Sequence, residues 1–313
     1  MTTPQFPFSW SRRRDLVLQA CPRQYFYEYY AAREGWARDA APRTRRIYVL
    51  KQLITRPMWA GDTVHRCIRR SLDNLRRGIR PLEVDRILDL VRDEMRAAFR
   101  ASRRGAYHER PKSPALFEHE YGISVPDETW RETAEGVLAD LRTFYASDLY
   151  DELTRLPAEA WLEIDGLATV GVDGVPVWVR IDAAHRAGEE IRVLDWTTGP
   201  PSQEDPTLAH ALYALHAASV WRARPGALQL VEYNLARDER RVARVSEASL
   251  DEARNFIRGS VADMMQLLAD PPANLPRPEE DFLLTADRGA CERCKYRAVC
   301  PRFAAPAPAG ENA

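Results

Sequence analysis

The placement of the cysteines constrains this chain more than any other feature. Cys21 stands alone near the N-terminus, and Cys291, Cys294 and Cys300 follow about 270 residues later in a C-x2-C-x5-C-P run. Three thiols within ten residues have the spacing of a metal or cluster site, and a fourth thiol completes the usual set. A fold that uses all four must bring the two ends of the chain together. The simpler alternative, scattered cysteines that act as small buried hydrophobes, fits this close spacing poorly.

Four thiolates can hold either an iron–sulfur cluster or a structural zinc ion. Structural zinc sites usually use two local pairs of ligands, whereas the first ligand here is isolated and Pro301 follows the last one. This pattern favours a [4Fe–4S] cluster, with zinc as the alternative. The fifth cysteine, Cys67, lies in a helical pattern and is interpreted as a core residue.

Size and composition are those of a soluble globular protein. The chain has 313 residues, of which 45% are apolar and 29% charged. We expect one domain over 1–303 and a disordered tail over 304–313. No apolar run of about 18 residues predicts a membrane span, and the first residues lack the apolar segment of a secretory signal. We therefore expect a cytoplasmic protein, which agrees with reduced thiolates.

The net charge of −1 hides an uneven distribution of charge. Residues 1–112 contain 25 Lys/Arg against 12 Asp/Glu, and the remainder contains 20 against 34. A basic N-terminal half is typical of a polyanion-binding surface. The candidate nucleic-acid contacts are Arg12, Arg13, Arg14 and Arg23. Alternatively, many arginines lie on solvated helix faces beside acids, which suits residues 81–104.

The periodicity of apolar residues predicts the order of elements. Helices are expected over 11–31, 62–77, from Pro81 and over 130–150, with loops over 35–46 and 105–127. Strands follow at 161–170, 175–181 and 191–196, then a helix at 206–222 and strands at 227–235 and 240–245. Ser249-Leu-Asp-Glu252 resembles a capping box that opens a last helix to about 269. This order predicts an α/β fold, with a helical part (1–155), a sheet core (156–250) and a C-terminal helix with the cysteine run (250–303).

Two carboxylates stand near the ends of neighbouring predicted strands. Asp182 ends Val179-Arg-Ile-Asp182, and Asp195 comes thirteen residues later. Such a pair can hold a hard divalent cation such as Mg²⁺. His65 shares a helix face with Ile68 and Leu72 and is a candidate third ligand. Each residue taken singly is more often structural.

Together with the cysteines, these motifs resemble the PD-(D/E)XK nuclease superfamily, in particular its RecB-type branch that carries an iron–sulfur cluster. That branch includes the nuclease domain of the AddAB helicase–nuclease and the CRISPR adaptation nucleases. The resemblance begins at Cys21-Pro-Arg and continues through Gly61-Asp-x-x-His65. It includes Arg180-Ile-Asp182 and Asp195-Trp-x-Thr-Gly199, and ends at the three-cysteine run.

The resemblance implies a restriction-endonuclease-like core, a mixed central sheet flanked by helices. It also implies a helical N-terminal insertion and an iron–sulfur staple that joins the termini through Cys21, Cys291, Cys294 and Cys300. His65, Asp182 and Asp195 would hold Mg²⁺ or Mn²⁺, which activates water for hydrolysis of DNA. Asp182, Asp195, Tyr213 and the residue at position 197 would form the catalytic set.

The sequence departs from the family pattern where a lysine is expected. Thr197 occupies that position, two residues after Asp195, and threonine has neither a positive charge nor basicity at neutral pH. The Q-x-x-x-Y motif of the next helix keeps Tyr213 but has Ala209 in place of glutamine, and Val179 replaces the glycine of G-R-I-D. The chain has three lysines, of which only Lys112 lies in a loop that could reach the site.

These departures predict a DNA-binding protein of DNA processing or antiviral defence, whose metal-dependent cleavage of single-stranded ends is weakened or lost. The alternatives are a fully active Mg²⁺- or Mn²⁺-dependent exonuclease and a non-catalytic structural subunit of a larger complex. A protein partner such as a helicase is expected. It must be a separate chain, because no G-x4-G-K-[ST] motif is present.

Overall fold

Helices surround one mixed β-sheet in the computed structural model of the chain, which describes residues 6–199 and 207–303. Within these residues no helix is both long and apolar enough to cross a membrane. The predicted disordered tail, 304–313, falls outside the described part of the chain.

The first half of the chain is helical, as predicted. Its helices are α1 Arg12–Ala20, α2 Pro22–Phe26, α3 Pro42–Lys51, α4 Arg56–Arg76, α5 Val84–Arg103, α6 Ala106–Glu109, α7 Phe117–Glu120, α8 Asp127–Tyr145 and α9 Asp148–Thr154. A π-helical turn, Tyr27–Ala31, continues α2. The long helices α4, α5 and α8 pack together and form the helical layer on one side of the sheet.

Several predicted boundaries in this half were wrong. The helix expected over 11–31 is divided at Cys21, which is extended (φ −168°, ψ 111°), and Pro22 starts a new helix. Proline lacks an N–H and suits the first helical position better than the interior. Pro42 starts α3 in the same way, so the last five residues of the expected connector 35–46 are helical. The expected loop 105–127 contains the short helices α6 and α7.

The sheet follows the predicted order of strands. A meander of β1 Trp161–Val172, β2 Val175–Ala187 and β3 Glu190–Thr197 is followed by α10 Thr207–Val220, β4 Leu228–Asn234 and β5 Glu239–Ala243. The spatial order is β1-β2-β3-β4-β5, with β3 and β4 parallel and the other neighbours antiparallel. A parallel pair needs a crossover connection, which α10 provides. The expected mixed sheet of an α/β fold is confirmed.

Each face of the sheet covers a separate hydrophobic core. On β3, Ile191 and Val193 belong to the core shared with α1, α10 and α11 (Glu247–Met265), whereas Leu194 and Trp196 belong to the core shared with α4, α5 and α8. Because side chains alternate along a strand, a strand buried on both faces is apolar at nearly every position. A polar residue within such a strand therefore indicates a place where the packing opens.

The last helix begins three residues earlier than the capping box predicted. The cap is Ser246, whose hydroxyl accepts a hydrogen bond from the backbone N–H of Ser249 (3.1 Å). The strands β6 Leu268–Asp270 and β7 Leu275–Pro276 form a small hairpin, and the helix α12 Arg288–Glu292 leads into the cysteine run.

Protein contacts join the two ends of the chain. Trp10 Nε1 donates to the Ser260 hydroxyl (2.8 Å), and that hydroxyl donates to Asp15 Oδ1 (2.6 Å). Arg23 Nε donates to the carbonyl of Phe282 (2.9 Å). The N-terminal helices therefore pack on α11 and on the segment that carries the cysteine run.

Candidate active site

Asp182 and Asp195 lie next to each other on adjacent strands, β2 and β3. The backbone N–H of Trp196 donates to Asp182 Oδ2 (3.1 Å), so the carboxylate of one strand is held by the backbone of the other. On β3, Asp195 stands on the face opposite Leu194 and Trp196, near the C-terminal end of the strand. The structure thus brings together the two carboxylates that the sequence singled out.

His65 reaches this pair from α4. Its neighbours Val64 and Ile68 are fully buried, which fixes the helix against the sheet. The imidazole lies at the rim, with its side chain 36% exposed, and Nδ1 is 3.2 Å from Asp182 Oδ1. Burial lowers the pKa of His65, but the hydrogen bond with Asp182 and the negative charges of both aspartates outweigh it and leave the pKa raised.

Gly61, one turn before His65 on α4, lies close to Thr198, the residue that follows β3. A Cβ at this position would lie 3.1 Å from the hydroxyl oxygen of Thr198. That distance is shorter than an ordinary contact, so the Thr198 side chain would have to shift by a few tenths of an ångström to accept a Cβ here. The glycine of the Gly61-Asp-x-x-His65 motif therefore lies where α4 and the end of β3 come close together.

Asp195 is the most strongly perturbed carboxyl group of the site. Burial, followed by the charge of Asp182, raises its pKa to about 7. The hydroxyl of Tyr213 on α10 donates to Asp195 Oδ1 (3.0 Å) and partly offsets this rise. Burial and the two aspartates raise the pKa of Tyr213 well above its usual value, so its hydroxyl stays a donor. Two carboxylates that repel each other are stabilised by a bound cation.

The donor atoms have the chemistry of a divalent metal site, although they do not surround one point. Within residues 6–199 and 207–303, no group of three or more His, Cys, Asp or Glu is arranged to hold a metal ion. Oxygens of both aspartates make hydrogen bonds instead, to His65, Tyr213 and the Trp196 amide. Two carboxylates beside an imidazole are nonetheless a suitable donor set for Mg²⁺ or Mn²⁺.

Thr197 ends β3 on the same face as Asp195 and is exposed. No lysine of the described residues replaces the missing one. Lys51 donates to the carbonyl of Glu28 (2.7 Å), and Lys295 lies 2.9 Å from the carboxylate of Glu28. Lys112 lines a separate groove beside Trp36 and Tyr48. The loop lysine that the sequence left open as a substitute therefore does not reach the aspartates.

Sequence reasoning missed a third carboxylate beside the aspartates. Glu232 on β4 is the direct neighbour of Asp195 across the parallel strand pair, and its carboxylate oxygen lies 2.8 Å from His210 Nε2. His210 follows Ala209, the position of the absent glutamine, and precedes Tyr213 by one turn of α10. The signal was present in the sequence as a lone acid inside the otherwise uncharged strand 228–234. It was missed because only adjacency in the sheet links this acid to Asp195.

The four predicted cluster cysteines line one small cavity. Cys21, Cys291, Cys294 and Cys300 surround it together with Tyr27, and its volume is about 20 Å³. Burial and then the three other cysteines raise the pKa of Cys294 to about 11, which reflects how close the four sulfurs lie. Cys67 is elsewhere, in the helical core, 3.5 Å from the hydroxyl of Tyr145. The lone N-terminal cysteine therefore lies beside the C-terminal three.

Donors from the protein point at these sulfurs. The backbone N–H of Tyr296 donates to Cys294 Sγ (3.5 Å), and Arg302 Nη1 donates to Cys291 Sγ (3.3 Å). Hydrogen bonds and positive charge near thiolates stabilise their negative charge in metal and cluster sites. The cavity therefore offers four sulfur ligands and part of the second layer of contacts that such a site needs.

The four arginines predicted to contact nucleic acid differ in their surroundings. Arg23 is buried, and it binds the carbonyl of Phe282 and the carboxylate of Glu279, so it acts inside the fold. Arg12 pairs with Asp15 (2.8 Å), and Arg14 lies over the ring of Tyr29. The side chain of Arg13 is 55% exposed and 3.8 Å from Glu28. Contacts of the first three residues, Arg12, Arg13 and Arg14, with nucleic acid remain a prediction.

Comparison of the sequence with models of known protein families identifies the family of this chain. The model of the PD-(D/E)XK nuclease superfamily matches residues 9–301, almost the whole chain. The chain belongs to the PD-(D/E)XK nuclease superfamily. Proteins of this superfamily share a nuclease fold and typically use divalent metals such as Mg²⁺. The match spans the helical part, the sheet with both aspartates and the cysteine run.

Other comparisons add little to this assignment. No curated protein matches the chain. Among the matching solved structures is one described as "Crystal structure of SSO0001", which is 15% identical over 60% of this chain and 80% of that chain, with a TM-score of 0.30.

Proposed function

We propose that the protein binds DNA in a metal-dependent PD-(D/E)XK site of the RecB/AddB type, and that its cleavage of single-stranded ends is weakened or lost. The observation that carries the proposal is the contact of His65 Nδ1 with Asp182 Oδ1 (3.2 Å) beside Asp195 on the next strand. In the sequence, these three residues follow the order of the motifs that resemble the superfamily.

His65, Asp182 and Asp195 would hold Mg²⁺ or Mn²⁺, which supplies a Lewis acid and an activated water for phosphodiester hydrolysis. The protein's own contribution is orientation. Tyr213 holds one oxygen of Asp195, and the Trp196 amide holds one oxygen of Asp182. These hydrogen bonds leave few rotamers to the carboxylates and prepare them for a cation.

Thr197 supports the weakened activity. The exposed threonine side chain provides no positive charge for the developing negative charge at phosphorus, and no described lysine takes over. Loss of one preorganised stabilising group typically costs about 10²–10³ in rate. Binding of metal and DNA uses other residues and would survive.

We further propose that the cysteine cavity holds a [4Fe–4S] cluster that staples the termini. Structural zinc sites usually draw on two local pairs of ligands, whereas Cys21 stands alone about 270 residues before the other three cysteines. The four cysteines line one cavity, and Pro301 follows the last of them, as in several cluster-binding runs. The donors to Cys291 and Cys294 suit either cofactor.

The setting we propose is DNA processing or antiviral defence in the cytoplasm, beside a separate motor protein such as a helicase. The single domain over 1–303 is part of the same proposal. The resemblance to the RecB branch in motif order and cysteine frame supports this setting, as does the basic N-terminal half. Two further functions are outcomes of the tests below: a fully active exonuclease and a non-catalytic structural subunit.

The nuclease test uses purified protein with its metal content preserved. Labelled single- and double-stranded DNA is incubated with Mg²⁺ or Mn²⁺, and binding is measured separately with Ca²⁺. We expect salt-sensitive binding of single strands and slow or absent cutting. Rapid cutting that Asp195→Asn abolishes would identify an active exonuclease instead. If salt-sensitive DNA binding is absent, the protein is a non-catalytic structural subunit and not a DNA-binding protein.

The lysine position can be tested directly. Thr197→Lys should raise the cleavage rate by about 10²-fold if the rest of the site is intact. Thr169→Lys is the matched control, because this exposed threonine on β1 receives the same charge away from the aspartates. An equal effect of both substitutions would mean that added charge, and not the restored site, changes the rate.

The cofactor is tested by iron and zinc analysis and by the visible spectrum of anaerobically purified protein. Cys21→Ser should remove most of the iron and the brown colour, whereas Cys67→Ser should leave both unchanged. A colourless protein with one zinc ion per chain would show that the site holds zinc and not a cluster. Equal metal loss in both variants would refute a site built from the four cavity cysteines.

A further inference from the structure

The carboxylate row of the site continues across the sheet to an arginine at its open edge. Asp195 on β3 pairs with Glu232 on β4, and Glu232 pairs with Arg241 on the edge strand β5. Directly paired residues project their side chains from the same face of a sheet. Adjacent strands are about 4.8 Å apart, so the Arg241 backbone lies about 10 Å from that of Asp195.

Arg241 differs from the other arginines around β5. Its side chain is exposed and makes no hydrogen bond, ion pair or ring contact with the described residues. The acid next to it, Glu232, lies against His210 instead (2.8 Å). The neighbouring arginines are engaged: Arg237 with Glu239, Arg240 over the ring of Tyr233, and Arg244 with Glu190.

We propose that Arg241 binds the backbone phosphate next to the one held at the aspartates. This inference rests on the proposed function and adds the direction in which the strand leaves the site, across β4 toward the β5 edge. A guanidinium binds phosphate oxygens through two N–H groups and stays protonated at every working pH. Arg241 therefore supplies positive charge near the site, but it does not replace the base that a lysine would provide.

The adjacent Arg240 is the matched control. It lies on the same strand and carries the same charge, but it projects from the opposite face, with its guanidinium 5.2 Å from the centre of the Tyr233 ring. A general electrostatic effect of the β5 edge would weaken binding equally in Arg240→Gln and Arg241→Gln. A phosphate contact on the site face would weaken binding only in the second variant.

The experiment measures binding of a fluorescent single-stranded oligonucleotide by anisotropy, in Ca²⁺, over a series of salt concentrations. We expect Arg241→Gln to raise Kd about fivefold, the upper range for an exposed charge contact. The slope of log K against log salt should fall by about 0.7, the value for one phosphate contact on a single strand. Arg240→Gln should leave both unchanged, and both variants should keep the thermal stability of the wild type.

The possible failures can be told apart. If the wild type binds DNA but Arg241→Gln behaves like wild type or like Arg240→Gln, the inference is wrong and the proposed function stands. If the wild type shows no salt-sensitive binding, both are wrong. If Arg241→Gln lowers thermal stability as well as affinity, Arg241→Lys must restore binding, and failure to do so refutes the phosphate contact.

Discussion

Glu28 offers a quantitative test of how the two ends of the chain are held together. This glutamate of the N-terminal π-helical turn is 5% exposed, accepts a hydrogen bond from the hydroxyl of Tyr296 (2.7 Å), and lies 2.9 Å from Lys295 Nζ. Burial alone would raise its pKa, but the charge of Lys295 lowers it. The pair therefore joins the N-terminal helices to the cysteine run by a buried ionic contact.

Glu28→Gln keeps the shape of this side chain and removes its charge. Lys295, whose side chain is 12% exposed, would lose its charged partner and keep the Lys51 carbonyl (2.8 Å) and the face of the Tyr296 ring (5.6 Å). Breaking a buried ion pair by removing one partner costs about 3–5 kcal/mol, and we expect the lower end, about 3 kcal/mol, because glutamine still accepts one hydrogen bond.

The assay is equilibrium unfolding in urea followed by tryptophan fluorescence, with the same cofactor content in every sample. Glu94→Gln is the control, because its pair with Arg70 is exposed (43% and 50%) and is worth at most about 1 kcal/mol. If Glu28→Gln loses no more stability than Glu94→Gln, the buried pair does not hold the termini and the reasoning fails.

Further predictions concern stability elsewhere in the fold. Low pH should remove the contribution of Glu28, because a lowered pKa means stability that is complete above the ordinary value of 4.5 and lost below it. The stability gap between wild type and Glu28→Gln should therefore shrink in urea titrations below pH 4.5, and a constant gap would contradict this. Leu141 lies in the helical core and is 0% exposed, so Leu141→Ala should lower the free energy of unfolding by about 2–5 kcal/mol. Leu90 is 38% exposed, so Leu90→Ala should lower it much less. Equal losses in urea unfolding would disprove the assigned core. Ser246→Ala should lower the free energy of unfolding by about 1 kcal/mol and Ser249→Ala by less, because the hydroxyl of Ser246 caps the last helix. A larger loss in Ser249→Ala than in Ser246→Ala, measured by thermal melts, would show that Ser249 is the cap, as the sequence predicted.

The contact of Asp182 with His65 shows how a motif becomes a site. The two residues are 117 positions apart, and α4 and β2 bring them within 3.2 Å. Three inferences led the sequence to this contact: the helix face of His65, an expected position of Asp182 at a strand end, and the order of family motifs. The second inference was wrong, because β2 continues to Ala187 and Asp182 lies inside the strand. The roles of these residues in catalysis remain predictions.

Glu232 and Arg241 show where sequence reasoning stopped. Neither belongs to a motif, and both have ordinary neighbours in the sequence. Their relation to Asp195 depends on the register of β3 with β4 and of β4 with β5. A shift of one residue in either register would turn the side chains to the other face, and the local sequence of a short strand does not specify its register.

The sequence alone determined the class of fold, the order of elements and the residues of the family motifs, because apolar periodicity and residue chemistry are local properties. It also located the two groups of cysteines, but not the break at Cys21 that turns this residue toward the others. Only the tertiary structure decided that Arg23 is buried, that Lys51, Lys112 and Lys295 are remote from the aspartates, and that Glu232 and Arg241 extend their row. Those outcomes depend on how distant segments pack together. Neighbours from other segments determine whether a side chain is buried and which charge it pairs with, and no local sequence pattern specifies those neighbours.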